Sequence, residues 1–241
     1  MKKKLLIFII TYNASHRLKR VFKRINFKKI NRYDFQILIS DDRSNDDTIG
    51  YIKYLYSKNK NKIVYKINPK NLHYGGNIKS CINFAINNKF DYAVMIHGDD
   101  QYDPKYIPSM LKKIKKDRVM CICGSKMRYK KKALIAKMPI YKFLGNIVLT
   151  KIFNLLYGTN FSDCHTGLWL YDINKIKKYI DFNKISNGYN FDNQLRIEII
   201  KKQNLIKEVP IIARYSDEKS SVHIFYAIKF FIEIFYKRLF N

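Results

Sequence analysis

Five short apolar runs, each followed by a longer amphipathic or polar stretch, constrain this chain more than any other feature. Leu5–Ile10, Phe35–Ser40, Lys62–Ile67, Tyr92–Ile96 and Val119–Gly124 have the length and β-branched content of buried strands. His16–Ile25, Asp46–Tyr56, Gly76–Asn88 and Pro104–Lys116 alternate with them and read as helices. Ser15 is placed to cap the first helix, Asp46 stands at the start of the second, and Pro104 suits the first turn of the fourth. Strands alternating with helices require right-handed crossovers, which predicts an α/β fold: a mostly parallel central sheet with helices on both faces. In such sheets ligands bind beyond the carboxyl ends of the strands. Three polar clusters fall at those ends: Thr11, Tyr12 and Asn13; Asp41 and Asp42; and Asp99, Asp100 and Gln101.

The second half is less regular. Met138–Tyr157 and Asp192–Lys202 read as helices and Leu205–Ile211 as a strand. The tail, Val222–Phe240, is apolar around most of its circumference, with His223, Lys229, Glu233, Lys237 and Arg238 in a narrow polar stripe. Lys229 and Glu233 near its centre make it a poor membrane span. It reads as an amphipathic helix lying on a membrane, the other reading being a helix packed on the domain or at a homo-oligomer interface. The expected organisation is therefore an α/β domain over residues 1–221 and an amphipathic, membrane-associating helix over residues 222–241. Met138–Tyr157 carries the same ambiguity, with Lys142 and Lys151 interrupting its apolar run.

A hydrophobic content of 47% excludes a disordered chain, and a formal charge of +28 points to anionic partners: lipid headgroups, phosphorylated ligands or nucleic acid. Part of that charge is background in a chain rich in Lys, Ile and Asn throughout. Cys121 and Cys123 are too close for an ordinary disulfide and lack a second metal-ligand pair, so Cys81, Cys121, Cys123 and Cys164 read as buried free thiols in a reducing cytosol. Lys2–Lys4 precede an apolar run too short for a secretory leader, with no small-residue cleavage site after it.

Of the motifs, "HGDDQYDP" (residues 97–104) is the most specific. Hard divalent cations prefer oxygen ligands and retain phosphate and water in their shell. Asp99 and Gln101, spaced i, i+2, share one side if the extended backbone continues; Asp100 then points away, and Asp103 before Pro104 reads as a helix cap. Asp41 or Asp42 in "ISDDRSNDDT" can accept hydrogen bonds from a nucleotide, although a strand end and helix start explain the same residues. Gly75 and Gly76 open a helix whose amino-terminal amides suit a phosphate, and a tight turn explains them equally well.

In order along residues 4 to about 222, these segments resemble the family 2 glycosyltransferases of the GT-A fold, most closely the dolichol-phosphate mannose synthase branch. "IITYNAS", "ISDDRSNDDT", "NLHYGGNIKSCINFA", "HGDDQYDP", "SDCHTGLW" and "EVPIIARYSDEKSSV" carry the resemblance. It implies inverting transfer of a sugar from a GDP- or UDP-linked donor to a polyprenyl phosphate, with Mg²⁺ or Mn²⁺ as cofactor, at the cytoplasmic face of the membrane. Carried over residue by residue, it implies metal ligation by Asp99 and Gln101. His97 stands where the family's first Asp usually is, and can ligate Mn²⁺ through nitrogen. Thr11, Tyr12, Asn13, Asp41, Asp42, Gly76 and Asp99 would bind the donor. Arg128, Arg214 and Lys219 match phosphate-contacting positions, with Arg128 placed beside Asp99 and Asp163 in the catalytic set. Ile10, Ala14, Arg43 and Trp169 depart from the family's usual Pro, Glu, Gly and Arg.

A phosphate acceptor is already anionic and needs no strong general base, so alignment and charge stabilisation suffice. An acceptor hydroxyl in surface-polysaccharide assembly would instead require Asp163 as the base. An inactive scaffold of the same fold is a further reading. A nucleic-acid-binding protein leaves the carboxylates at the strand ends unexplained, so nucleic acid is not expected as a partner.

Overall fold

In a computed structural model the chain is described over residues 2–115 and 119–215, together with Ile232, Phe235, Tyr236 and Arg238. The five anticipated runs are strands: β1 (Lys4–Thr11), β2 (Asp34–Asp41), β3 (Ile63–Ile67), β4 (Tyr92–His97) and β5 (Val119–Ser125). Two more, β6 (Trp169–Asp172) and β7 (Leu205–Pro210), complete a seven-stranded sheet in the order β3-β2-β1-β4-β6-β5-β7. Every pairing is parallel except those of β6, which runs antiparallel to both β4 and β5.

Among the described residues the helices bounded at both ends that surround the sheet are α1 (Ser15–Lys23), α2 (Thr48–Lys58), α3 (His73–Asn87), α4 (Ile107–Lys113), α5 (Lys130–Ile135), α6 (Ile140–Tyr157), α7 (Ile173–Tyr179) and α8 (Phe191–Lys201). Successive side chains of a strand point to opposite faces, and β1 shows both faces buried. Leu5, Ile7 and Ile9 join a core with α1, α2 and α4, while Leu6, Phe8 and Ile10 join a second core with α3, α7 and α8. The expected helix-covered parallel sheet is therefore present, with one antiparallel strand inserted.

Local details differ from expectation. Ala14, not Ser15, is the N-cap of α1, and no side chain caps that end. Asp103 does cap the short 3-10 turn at Pro104–Tyr106, accepting the Lys105 amide at 2.9 Å. All four cysteines are buried free thiols. Among the described residues no helix is long and apolar enough to cross a membrane. Of the tail anticipated at 222–241, only the four described positions can be placed. Phe235 packs on the small cluster of Phe153, Cys164 and Ile197, and Ile232 and Tyr236 are exposed.

Candidate functional site

The rim is built by strand ends, and the antiparallel strand extends it. Parallel β1, β2, β4 and β5 deliver their carboxyl ends to one edge. Because β6 runs the other way, its amino end arrives there too, bringing residues 162–167 beside the turn after β4. The motifs "HGDDQYDP" and "SDCHTGLW" therefore meet in space.

Asp41 and Asp42 serve the two sides of the β1–β2 rim differently. Asp41 is fully buried: Thr11 Oγ1 donates to it at 3.0 Å, and the amide and hydroxyl of Ser44 at 2.8 and 2.5 Å. Its carboxylate is thus occupied by the protein's own donors. Asp42 accepts Asn68 Nδ2 at 2.9 Å and the Leu72 amide at 2.8 Å, both through Oδ1, with Oδ2 turned to neither. Asn13, at a positive φ of 49°, accepts the Asn45 amide and donates its own to Ser44, while Tyr12 stands half exposed. The glycine pair has a packing explanation. A Cβ at Gly75 would lie 2.6 Å from the Ser186 carbonyl, and the Gly76 amide donates to the Asn187 carbonyl at 3.1 Å. The Gly76 amide expected to receive phosphate is thus already engaged.

After β4 the extended backbone stops at His97. Asp99 accepts the Gln101 amide at 2.9 Å and Asp100 takes a positive φ of 64°, so Asp99 and Gln101 do not form the expected strand-like i, i+2 pair. Asp100 turns away to a basic cluster: Arg20 at 3.1 Å, Arg24, and Arg214 at 3.6 Å. Arg214 also binds Asp103, and its amide donates to the Gln101 carbonyl. The side chain facing Asp99 is His97, whose Nδ1 lies 3.8 Å from Asp99 Oδ2. Partial desolvation of Asp99, whose side chain is 45% exposed, acts to raise its pKa. The nearby His97 ring, the Gln101 amide and Arg17 outweigh it and hold the carboxyl below its ordinary range.

Around His97 the structure places residues that the sequence reading missed. Tyr74 and Tyr102 meet the imidazole edge-on, with centroids 5.5 and 5.2 Å away. Any Cβ on Gly167 would overlap the ring at Cε1 and Nε2. Tyr74 Oη approaches His97 Nε2 at 3.3 Å and donates to Asp192 Oδ2 at 2.7 Å. Burial pushes Asp192 up to about 6, against the Tyr74 hydrogen bond and the charges of His97, Arg196 and Lys126. Its Oδ1 is buried without a hydrogen-bond partner. In the sequence Asp192 reads as an acid at a helix start, and nothing links it to Tyr74, 118 positions away.

Asp163 is fully buried and fully engaged. It pairs with Lys126 at 3.0 Å and accepts the Lys126 amide, Asn146 Nδ2 at 2.8 Å and the His165 amide at 2.9 Å. Burial acts to raise its pKa, but Lys126 and these donors bring it down to about 2. Glu208 of β7 secures the same loop by accepting the amides of Ser162 and Asp163, each at 3.0 Å. Arg128 follows β5 as an exposed cation. Lys219 lies outside the described residues.

Among the described residues no three His, Cys, Asp or Glu side chains converge on one metal position. His97 and Asp99 still fit a cation that takes its remaining ligands from substrate and water. They are unlike donors on the open rim, separated by more than a hydrogen-bond distance.

The model of Glycosyl transferase family 2 matches residues 6–180. The chain belongs to this family. One relative, the UDP-N-acetylglucosamine–dolichyl-phosphate N-acetylglucosaminyltransferase of Methanococcus voltae, is 27% identical over 231 residues, 90% of this chain and 88% of the relative. Among solved structures, a mannosyltransferase from Pyrobaculum calidifontis in complex with GDP-Man and Mn²⁺ superposes with a TM-score of 0.67 at 10% identity. All of this chain is covered, but it spans only 65% of that one. The glucosyl-3-phosphoglycerate synthase of Mycobacterium tuberculosis, with Mn²⁺, UDP and its product bound, gives 0.65 at 12% identity, covering 98% and 80%. These likenesses show the GT-A fold, and the protein is a glycosyltransferase.

Proposed function

We propose that this glycosyltransferase moves a sugar, with inversion and with Mn²⁺ or Mg²⁺, from a nucleoside-diphosphate sugar to a polyprenyl phosphate at a membrane surface. The observation that carries this reading is the exposed apolar face of α6, whose inner side also reaches the rim. The helix's buried positions are Asn146, Thr150 and Phe153, and the two polar ones are tied inward: Asn146 reaches Asp163, and Thr150 bonds Asn146 and the Cys164 amide. Its outer side exposes Ile140, Tyr141, Leu144, Val148 and Leu155, interrupted by Lys151 and bordered by the exposed Lys130, Lys131, Lys132 and Lys137. One helix thus joins the rim to an apolar surface with a basic border, as an enzyme drawing a lipid phosphate from an anionic membrane requires. The dolichyl-phosphate substrate in the M. voltae relative's name supports the same acceptor class.

Asp163 separates this reading from a hydroxyl acceptor. A carboxylate brought down to about 2 and occupied by four donors is a poor proton acceptor at neutral pH. A phosphate acceptor needs none. Asp163 then acts as a positioning residue for Lys126, Asn146 and the 162–165 loop. In this reading His97 and Asp99 would hold the metal, with Gln101 nearby, and a metal there would supply charge stabilisation for the departing diphosphate. Thr11, Tyr12, Asn13 and Asp42 face the nucleotide; Arg128, Arg214 and Lys219 supply cations for the acceptor and donor phosphates.

The test incubates the protein with a panel of GDP- and UDP-sugars, each metal, and a short polyprenyl phosphate, beside sugar acceptors with free hydroxyls. A glycolipid product that is lost with Asp99→Ala is expected. Transfer only to hydroxyl acceptors would overturn the acceptor assignment, and full turnover by Asp99→Ala would overturn the metal assignment.

A further inference from the structure

His97 is the residue by which this rim departs from the family's acidic metal motif, and its surroundings give it one orientation. We infer that Asp192 and Tyr74 form a positioning relay that presents His97 Nδ1, together with Asp99, to a divalent cation, so that this site selects Mn²⁺ over Mg²⁺. The inference rests on the metal-dependent reading above and names residues outside the family's motif.

A phenol carries one proton. Tyr74 gives it to Asp192 Oδ2, the shorter contact at 2.7 Å and the one to a carboxylate, so its oxygen is left as an acceptor toward His97 Nε2 at 3.3 Å. Nε2 must then carry the imidazole hydrogen, and the lone pair of the neutral ring sits on Nδ1. That atom faces Asp99 Oδ2 across 3.8 Å, a gap too long for a hydrogen bond and open enough for an ion. The ring cannot readily turn out of this pose, because Tyr74 and Tyr102 hold it edge-on and Gly167 lies against Cε1 and Nε2. Tyr102 is itself fixed by accepting the Gly167 amide at 3.0 Å.

A carboxylate–phenol–imidazole chain of this kind does what a carboxylate does behind a metal-bound histidine. It fixes the tautomer and orients the ligand. Imidazole nitrogen suits Mn²⁺ better than Mg²⁺, which strongly prefers oxygen. Replacing an acidic ligand by His at this position therefore changes which cation the rim favours.

Mn²⁺ binding to the UDP- or GDP-loaded protein, followed by electron paramagnetic resonance with Mg²⁺ as competitor, tests the inference without reference to turnover. Tyr74→Phe is expected to weaken Mn²⁺ by about tenfold or more, with little change for Mg²⁺. His97→Asp should let Mg²⁺ compete at lower concentration. Asp192→Asn keeps an acceptor for the Tyr74 hydroxyl and should retain Mn²⁺ affinity, whereas Asp192→Leu should lose it. Nitrogen-15 resonances of His97 in the metal-free protein should report the Nε2–H tautomer, a readout that holds even where a variant folds poorly. An Nδ1–H tautomer, or Mn²⁺ affinity unaltered by Tyr74→Phe, overturns the relay alone. Nucleotide binding with no Mn²⁺ uptake by the unsubstituted protein overturns metal dependence and the relay together.

Discussion

At the scale of single residues, the site shows carboxylates of one motif divided between unrelated tasks. Asp99 lies on the open rim, Asp100 anchors three arginines, and Asp103 caps a turn. The sequence reading separated Asp103 correctly, because a cap before Pro is a local feature. It did not reveal the role of Asp100, whose partners lie at positions 20, 24 and 214. Asp163 makes the energetic cost of such pairing measurable. Removing one partner of a buried ion pair strands the other charge, at about 3–5 kcal/mol, whereas replacing both by apolar groups is often neutral. Asp163→Asn keeps the shape and strands Lys126, which has only 6% of its side chain exposed. Urea unfolding should show Asp163→Asn destabilised by about 3 kcal/mol and the double variant Asp163→Asn, Lys126→Met less so than the two single losses combined. Strict additivity would mean that the pair is not coupled.

At the scale of elements, the sequence was informative where a periodic run was long enough to show its pattern. Six strands were legible, as were six of the helices. The four-residue β6 was not, since Trp169 to Asp172 is too short to show alternation; α5 and α7, six and seven residues rich in Lys, were missed for the same reason. The missing β6 mattered for the site, because only an antiparallel strand explains how residues 162–167 reach the rim. α6 was legible as a helix, but not in its orientation. A helix apolar around most of its surface does not announce which side faces inward, and here two of the three buried positions, Asn146 and Thr150, are polar. Leu144 and Val148, one turn apart and 55% and 54% exposed, test what the outer side does. Changing both to Asp should leave stability within about 0.5 kcal/mol per site, as for ordinary surface substitutions. Each apolar side chain withdrawn from a lipid surface should weaken association roughly tenfold. Flotation with phosphatidylglycerol vesicles measures this, and unchanged binding would remove α6 from the membrane-facing surface.

At the scale of the whole molecule, charge is distributed by depth. The chain carries 47 Lys and Arg against 19 Asp and Glu. Among the described residues the buried ionisable side chains nevertheless include six Asp, at 41, 42, 100, 103, 163 and 192, and only two bases, Lys126 and Arg196. A basic exterior thus encloses an acidic rim, and response to acid should come from that rim. Two groups near its centre oppose each other. Burial pulls His165 down to about 4 from 6.5, with Lys126 and Arg196 adding to the fall and Asp163 resisting it. The unfolded chain binds that proton first, so His165 removes stability as pH falls from about 6.5 to 4. Asp192, raised to about 6 from 3.8, does the reverse: the native state takes its proton first and gains stability over nearly the same window. At about 1.4 kcal/mol per unit, these contributions are similar in size and opposite in sign. Stability should therefore change little from pH 6.5 to 4. It should then fall steeply as Asp163, with Asp46, Asp99 and Asp103, is protonated from about 3.8 downward. Asp192→Asn removes one side of the balance without removing the Tyr74 acceptor. Its urea-unfolding free energy should decline by on the order of 3 kcal/mol between pH 6.5 and 4, a slope the unsubstituted protein lacks. Parallel curves for the two proteins would show that His165 and Asp192 do not set the acid response, and that the rim's charge balance lies with other groups.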